Sequence, residues 1–216
     1  GARLTTTAHN KWMALVVLSV SYLMVVLDVS VVNVALNDIQ QDLGFAPADL
    51  QWVITGYALT FGGFLLLGGR IGDILGRRKL FIVGLVAFAA FSLLCGLATS
   101  PTMLVTARIL QGIAAAILSP QVFSIVSVTF DEGHERNKAL GILGAVAGSG
   151  AAIGLIVGGV LTEKAGWQWC FLINVPIAIV TLFMTFRYVN ESHSTRTGRH
   201  FDAAGALLIT SALMIL

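Results

Sequence analysis

Charge is scarce in this chain: Asp, Glu, Lys and Arg together make up 11% of its 216 residues. Also missing are the signatures of most chemistry. No phosphate-cradling P-loop pattern occurs, which leaves direct ATP use unsupported. No helix-borne zinc motif or nucleophile-elbow serine occurs either, so no catalytic residue and no enzyme activity are expected. The four histidines (His9, His134, His193, His200) lack metal-ligand spacing, so no metal is expected. The two cysteines, Cys95 and Cys170, fall inside or at the end of apolar runs and read as small buried apolar residues. Nucleic acid is not an expected partner. Strand-length alternation of apolar and polar residues is absent, which argues against a membrane β-barrel.

What the chain has is apolar length. Hydrophobic residues make up 56% of it and the mean hydropathy is +0.88. Crossing a bilayer takes about 20 mostly apolar residues. Six runs qualify, at about 12–36, 50–69, 80–98, 101–130, 139–161 and 169–189. The spacing therefore predicts an all-α membrane protein with a six-helix bundle over 1–189. A polar linker over 190–202 leads to a seventh apolar run over 203–216. That run is too short to span, so the chain is expected to be the N-terminal portion of a longer protein.

The few cations are segregated. Arg3 and Lys11, then Arg70, Arg77, Arg78 and Lys79, then Arg136 and Lys138, then Arg187, Arg196 and Arg199 occupy the N-terminal segment and every second loop, and the intervening loops hold only Lys164. The first loop of the other set carries Asp38, Asp42 and Asp49 instead. Lys and Arg collect on the cytoplasmic side, so the N-terminus is expected inside the cell. Trp12, Trp52, Trp167 and Trp169 fall at predicted span ends, where aromatic belts form.

One charged knot interrupts this pattern: Gly69-Arg70-Ile71-Gly72-Asp73-Ile74-Leu75-Gly76-Arg77-Arg78-Lys79. It reads as a tight cytoplasmic turn between the second and third spans. Its cations either fix topology or serve a conformational role.

Within the spans, two charged side chains, Asp28 and Arg108, lie well below the surface. A charge at a helix centre costs roughly 2.5–3.5 kcal/mol on insertion scales, so such residues pair or serve function. Counting rise along each helix puts Asp28 about 12 Å and Arg108 about 10 Å below the same outer surface. The two can therefore face each other, as a structural ion pair or as a proton-linked pair. For the second reading, desolvation favours the neutral acid and a nearby cation favours the anion. Asn33 and Gln111 lie close by in sequence and are candidates for the substrate path, with interhelical packing the alternative for Asn33.

The fifth span carries two stripes of small residues, Gly144 with Gly148, and Gly150, Gly154 and Gly158 with Gly159 beside them. Small residues at this spacing permit close helix approach. Their density suggests a face that slides or bends against a neighbour, with static packing the alternative.

Together these motifs resemble the major facilitator superfamily, and closely its drug:proton antiporter branch with fourteen spans. The knot matches the loop between helices two and three at Gly69, Asp73, Gly76, Arg77 and Arg78. The run Leu27 to Leu36 matches the first-helix motif. Arg108 to Gly112, reaching on to Pro120, matches the fourth-helix motif. The stripe ending Gly154-Leu155-Ile156-Val157-Gly158-Gly159 matches the antiporter motif, with Leu155 where proline is usual. Trp167 to Pro176 matches the entry to helix six, with Gln168 where arginine is common. The short link before residue 203 resembles the fourteen-span branch.

The resemblance implies a six-helix half built as a 3+3 inverted repeat, in a bacterial multi-pass cell-membrane protein. It implies export of small lipophilic compounds, including cationic ones, in exchange for protons, with the proton gradient and no cofactor as the energy source. Asp28 and Arg108 would couple protons. The loop at Gly69, Asp73, Gly76, Arg77 and Arg78 would latch conformations against a helix of the missing C-terminal half. Gly150, Gly154, Gly158 and Gly159 would form the moving face. An uptake carrier of the same superfamily and a non-transporting membrane subunit are the rival readings.

Overall fold

The computed structural model describes residues 8–191, and the side chains from residue 10. The expected seventh run and all of the linker beyond Glu191 lie outside the described residues. Among the described residues eight helices run in order: α1 (Ala8–Leu43), α2 (Pro47–Leu50), α3 (Trp52–Leu75), α4 (Arg77–Gly96), α5 (Pro101–Thr129), α6 (His134–Ala165), α7 (Trp169–Leu172) and α8 (Asn174–Tyr188). Among the described residues, six helical segments are long and apolar enough to cross a membrane. This is an all-α membrane protein.

The helices outrun the apolar stretches that predict them. At 1.5 Å per residue, the 36 residues of α1 measure about 54 Å, against a hydrocarbon core of about 30 Å. Its last turns therefore stand clear of the apolar layer and carry Asp38 and Asp42. The knot is a tight turn, tighter than the apolar span ends suggest. α3 continues through Asp73 to Leu75 and α4 begins at Arg77, so Gly76 alone stands outside a helix. Gly76 has φ 103°, a backbone state that side-chain-bearing residues rarely adopt, and this reverses the chain within one residue.

Other boundaries follow local chemistry. Ser100 caps α5 by accepting the Met103 amide at 3.3 Å, and Pro101 occupies the first turn, where no amide hydrogen is needed. The sixth span breaks at Ile173. Pro176 lacks the amide hydrogen that would bond the Leu172 carbonyl, so α7 ends and α8 restarts at Asn174.

Packing has an internal symmetry. α3 lies along α5 as α1 lies along α6, α4 packs on α5 as α8 packs on α1, and α4 meets α8. Exchanging spans one, two and three with four, five and six leaves this pattern unchanged, as an inverted 3+3 repeat requires. Two apolar clusters fill the bundle, one around Leu18, Phe81, Phe88 and Leu118, the other around Val32, Val53, Leu104 and Phe171. The polar site lies between them.

Candidate functional site

Leu18, Met24 and Val32 bury one face of α1, and Asp28 is carried inside on that face, 1% exposed. The carboxylate is received by three side chains from two helices, α5 and α8. Arg108 on α5 donates from Nη1 to Oδ2 at 2.5 Å. Gln111, one turn farther along α5, donates from Nε2 to Oδ1 at 3.0 Å. Asn174, the first residue of α8, donates from Nδ2 to the same Oδ1, also at 3.0 Å.

Arg108 is 1% exposed and is held on several sides. Its Nε donates to the Val53 carbonyl at 3.0 Å, and its Nη1 also reaches Gln111 Oε1 at 2.8 Å. The Tyr57 ring lies 4.2 Å from the guanidinium carbon, and the Phe171 ring 5.6 Å away. An aromatic face stabilises a desolvated cation by about 2 kcal/mol or more. This cradle depends on a close approach of α3 and α5. A β-carbon at Gly112 would strike Thr60 Oγ1 and the Tyr57 carbonyl. Thr60 in turn donates across the gap to the Ile109 carbonyl at 2.8 Å.

The pair is thus a buried ion pair, hydrogen-bonded from α1, α3, α5 and α8 where those helices cross. Removing one member of such a pair costs about 3–5 kcal/mol, because the other charge stays buried. Among the described residues no group of three or more metal-ligating side chains occurs.

The family model for the Major Facilitator Superfamily matches residues 18–215. This chain belongs to the Major Facilitator Superfamily. It is 46% identical over 199 residues to the puromycin resistance protein pur8 of Streptomyces alboniger, covering 92% of this chain and 39% of that protein. It is 46% identical over 213 residues to the cephamycin export protein CmcT of Amycolatopsis lactamdurans, covering 98% and 43%. The tetracenomycin C resistance and export protein of Streptomyces glaucescens is 36% identical over 205 residues, covering 95% and 38%. The chain thus spans about two fifths of the length of these curated relatives. Among solved structures, a bacterial homolog of the human lysosomal transporter Spinster, inward-facing and unoccupied, superposes with a TM-score of 0.71. It is 20% identical over 89% of this chain and 46% of its own length, a likeness of fold alone. The superfamily is one of transport proteins, and its matching relatives here are bacterial.

In this superfamily member the other expected site residues fall in three places. Asn33 does not join the acid. It is exposed and donates to the Val29 carbonyl of its own helix at 2.8 Å. Five residues turn a helix about 140° past a full circle, which carries Asn33 off the Asp28 face. Gln111, the other candidate for the substrate path, is fully buried as a partner of both charges.

The knot is tied at the bundle's basic end. Arg77 donates to Asp73 Oδ1 from Nη2 at 2.9 Å and from Nε at 3.2 Å, across the Gly76 reversal. Arg78 lies over the Phe186 ring at 5.6 Å and donates to the Phe186 carbonyl at 3.4 Å. Glu191, just past α8, accepts the backbone amides of Arg78 and Lys79 at 3.1 Å each. It caps α4, whose own N-cap, Gly76, has no side chain. A β-carbon at Gly69 would meet Pro120 of α5 at 3.4 Å, an ordinary contact distance.

The neighbour of the stripe Gly150, Gly154 and Gly158 is α1, inside the same bundle. A β-carbon at Gly150 would come 2.8 Å from Val26 Cγ1, at Gly154 2.5 Å from Ser30 Cβ, and at Gly158 3.0 Å from Val31 Cα. Gly159, like Gly141, Gly144 and Gly148, meets nothing within 4 Å. The two stripes are therefore different surfaces: one locks α6 to α1, and the other faces outward beside exposed Leu155 and Ile156.

Sequence reasoning did not single out Asn174, Ser92 and Glu191. Asn174 stands inside the helix-six motif, and its place just ahead of a proline was the available signal.

Proposed function

We propose that this chain is the first half of a bacterial exporter that moves small lipophilic compounds out of the cell in exchange for inward protons. The observation that carries the reading is the Asp28 carboxylate, buried at a four-helix crossing and bonded to Arg108, Gln111 and Asn174. A carboxylate is the one group in that cluster with both a charged and a neutral form to exchange by taking or releasing a proton. Resistance and export in the names of the relatives support drug-like compounds as cargo. A cleft of about 420 Å³ between α1 and α6 supports lipophilic ones. Trp12, Leu15, Val20, Leu23, Ile142 and Val146 line it, and Ser19 is its one polar neighbour.

Asp28 takes a proton from outside and releases it inside as the halves alternate their access, with Arg108 stabilising the deprotonated state. The basic end of the bundle is the cytoplasmic one, with the N-terminus inside. There Lys11 pairs with Glu135 at 2.6 Å and Arg136 with Glu132 at 3.2 Å. Asp73, tied to Arg77, is the half of the latch that meets a helix of the second half. Fourteen spans in the complete protein follow from the short link after α8.

The test uses the complete protein reconstituted in vesicles with a pH-sensitive dye inside and puromycin or ethidium as cargo. An imposed proton gradient should drive cargo against its concentration, opposite to the proton flow. Asp28→Asn should abolish cargo-dependent proton movement while the protein still inserts. Unchanged proton movement in that variant overturns the coupling role, and cargo moving with the protons favours an uptake carrier.

A further inference from the structure

Asn174 is 2% exposed and its Nδ2 makes two contacts, to Asp28 Oδ1 and to Ser92 Oγ, both at 3.0 Å. Ser92 on α4 is fully buried and its hydroxyl donates to the Phe171 carbonyl of α7 at 2.8 Å. A hydrogen-bonded path therefore runs from the acid on α1, through α8 and α4, to the break between α7 and α8.

The acid's other partners are fixed in sense. A guanidinium only donates. Gln111 has its Oε1 against Arg108 Nη1 at 2.8 Å, with Cys95 Sγ 3.6 Å away. Turning that amide over would set its NH2 group against a cation. The Asn174 amide is backed by a hydroxyl instead, which both donates and accepts. A half-turn of the amide presents its oxygen to Asp28, and rotation of the Ser92 hydroxyl satisfies that oxygen from behind.

We propose that Asn174, backed by Ser92, is the reversible partner of Asp28, donating to the carboxylate and turning over to accept the O–H of the neutral acid. This rests on the proton-exchange reading above. In the step, a proton from water binds Oδ1, the charge on Asp28 goes from −1 to 0, and Arg108 keeps its own. No bond between heavy atoms forms or breaks, since Asn174 and Ser92 only reorient. When Ser92 turns, the Phe171 carbonyl loses its donor, so the α7–α8 break registers the state of the acid. Asn174 is a positioning residue and Asp28 the group that carries the proton.

Arg108 from α5 contacts Asp28 directly, and the ionisable groups whose charge bears on it are Tyr57 from α3, Cys95 from α4 and Cys170 from α7. The ionisable residues of α6 and α8 stand at the helix ends. None of these groups is a second partner able to reverse its sense at Oδ1.

The test is an infrared difference titration of the complete purified protein without cargo, following the carboxylic acid C=O stretch of Asp28, assigned by its loss in Asp28→Asn. Asn174→Ala should shift the band's frequency. It should also raise the pH of half-appearance, because the charge-assisted bond lost by the anion is stronger than the neutral bond lost by the acid. Ser92→Ala, which removes only one hydroxyl, should also shift the frequency, and Ser92→Thr should restore it. A wild-type frequency and midpoint in either Asn174→Ala or Ser92→Ala overturns the inference while the titration of Asp28 stands. A wild-type protein with no pH-dependent Asp28 band overturns the proton-exchange reading and this inference together.

Discussion

Arg108 meets Asp28 through Nη1 at 2.5 Å while its Nε is held by the Val53 carbonyl at 3.0 Å. One planar group thus ties α1 to α3 from its seat on α5. Arg108→Lys keeps the charge and loses the fork, so a single ammonium cannot hold both partners in one geometry. Loss of one charge-assisted bond costs about 1.5–3 kcal/mol. Transport in Arg108→Lys should fall roughly tenfold or more, with the amount of inserted protein preserved. Wild-type turnover in vesicles would reduce Arg108 to packing.

Two ionisable residues in long apolar runs stand out in a sequence because charge in lipid is costly, and matched depth was enough to pair them. Ser92 and Asn174 do not stand out, since a hydroxyl or amide in an apolar helix is cheap wherever a carbonyl lies near. Their meeting with Asp28 is a matter of helix rotation, to which rise along the axis is blind. The knot shows a different gap. Its residues read as a loop by charge, yet helices extend past the apolar layer and Gly76 alone makes the reversal. The glycine stripes were legible as close-packing surfaces, but not which of them α1 already covers.

That division between stripes predicts unequal responses. At Gly158 a methyl group would press on Val31 Cα at 3.0 Å and on the Val31 carbonyl oxygen at 3.1 Å, backbone atoms that cannot swing away. Overpacking of this kind costs about 1–3 kcal/mol. Gly158→Ala should lower the unfolding temperature in a thermal melt. Gly159→Ala, where nothing in this bundle lies within 4 Å, should leave it unchanged.

At the other end of the bundle, Asp42 on the last turn of α1 accepts Trp167 Nε1 at 2.8 Å and Gln168 Nε2 at 3.2 Å. Trp167 is 3% exposed, so losing the acceptor leaves a buried N–H unsatisfied. That penalty is about 1–3 kcal/mol. Asp42→Ala should therefore destabilise the protein by that amount in chemical unfolding. Asp42→Asn, which retains an acceptor oxygen, should lose clearly less. Equal losses in the two variants would mean that charge, not the indole bond, holds α1 to the α6–α7 turn.

The start of α4 offers a residue-resolved test. Glycine at its N-cap leaves the first amides without a local acceptor, and Glu191 supplies one from beyond α8 at 3.1 Å to both Arg78 and Lys79. A helix cap is worth about 1 kcal/mol, close to a fivefold change in local opening. In Glu191→Ala, hydrogen–deuterium exchange at the Arg78 and Lys79 amides should accelerate by about that factor. Exchange in the middle of α4 should not change. Glu191→Gln keeps an acceptor oxygen and loses the charge that the positive end of the helix favours, so it should fall between the two. Unaltered exchange in Glu191→Ala would assign the holding of the knot to the Arg78 contacts with Phe186 instead.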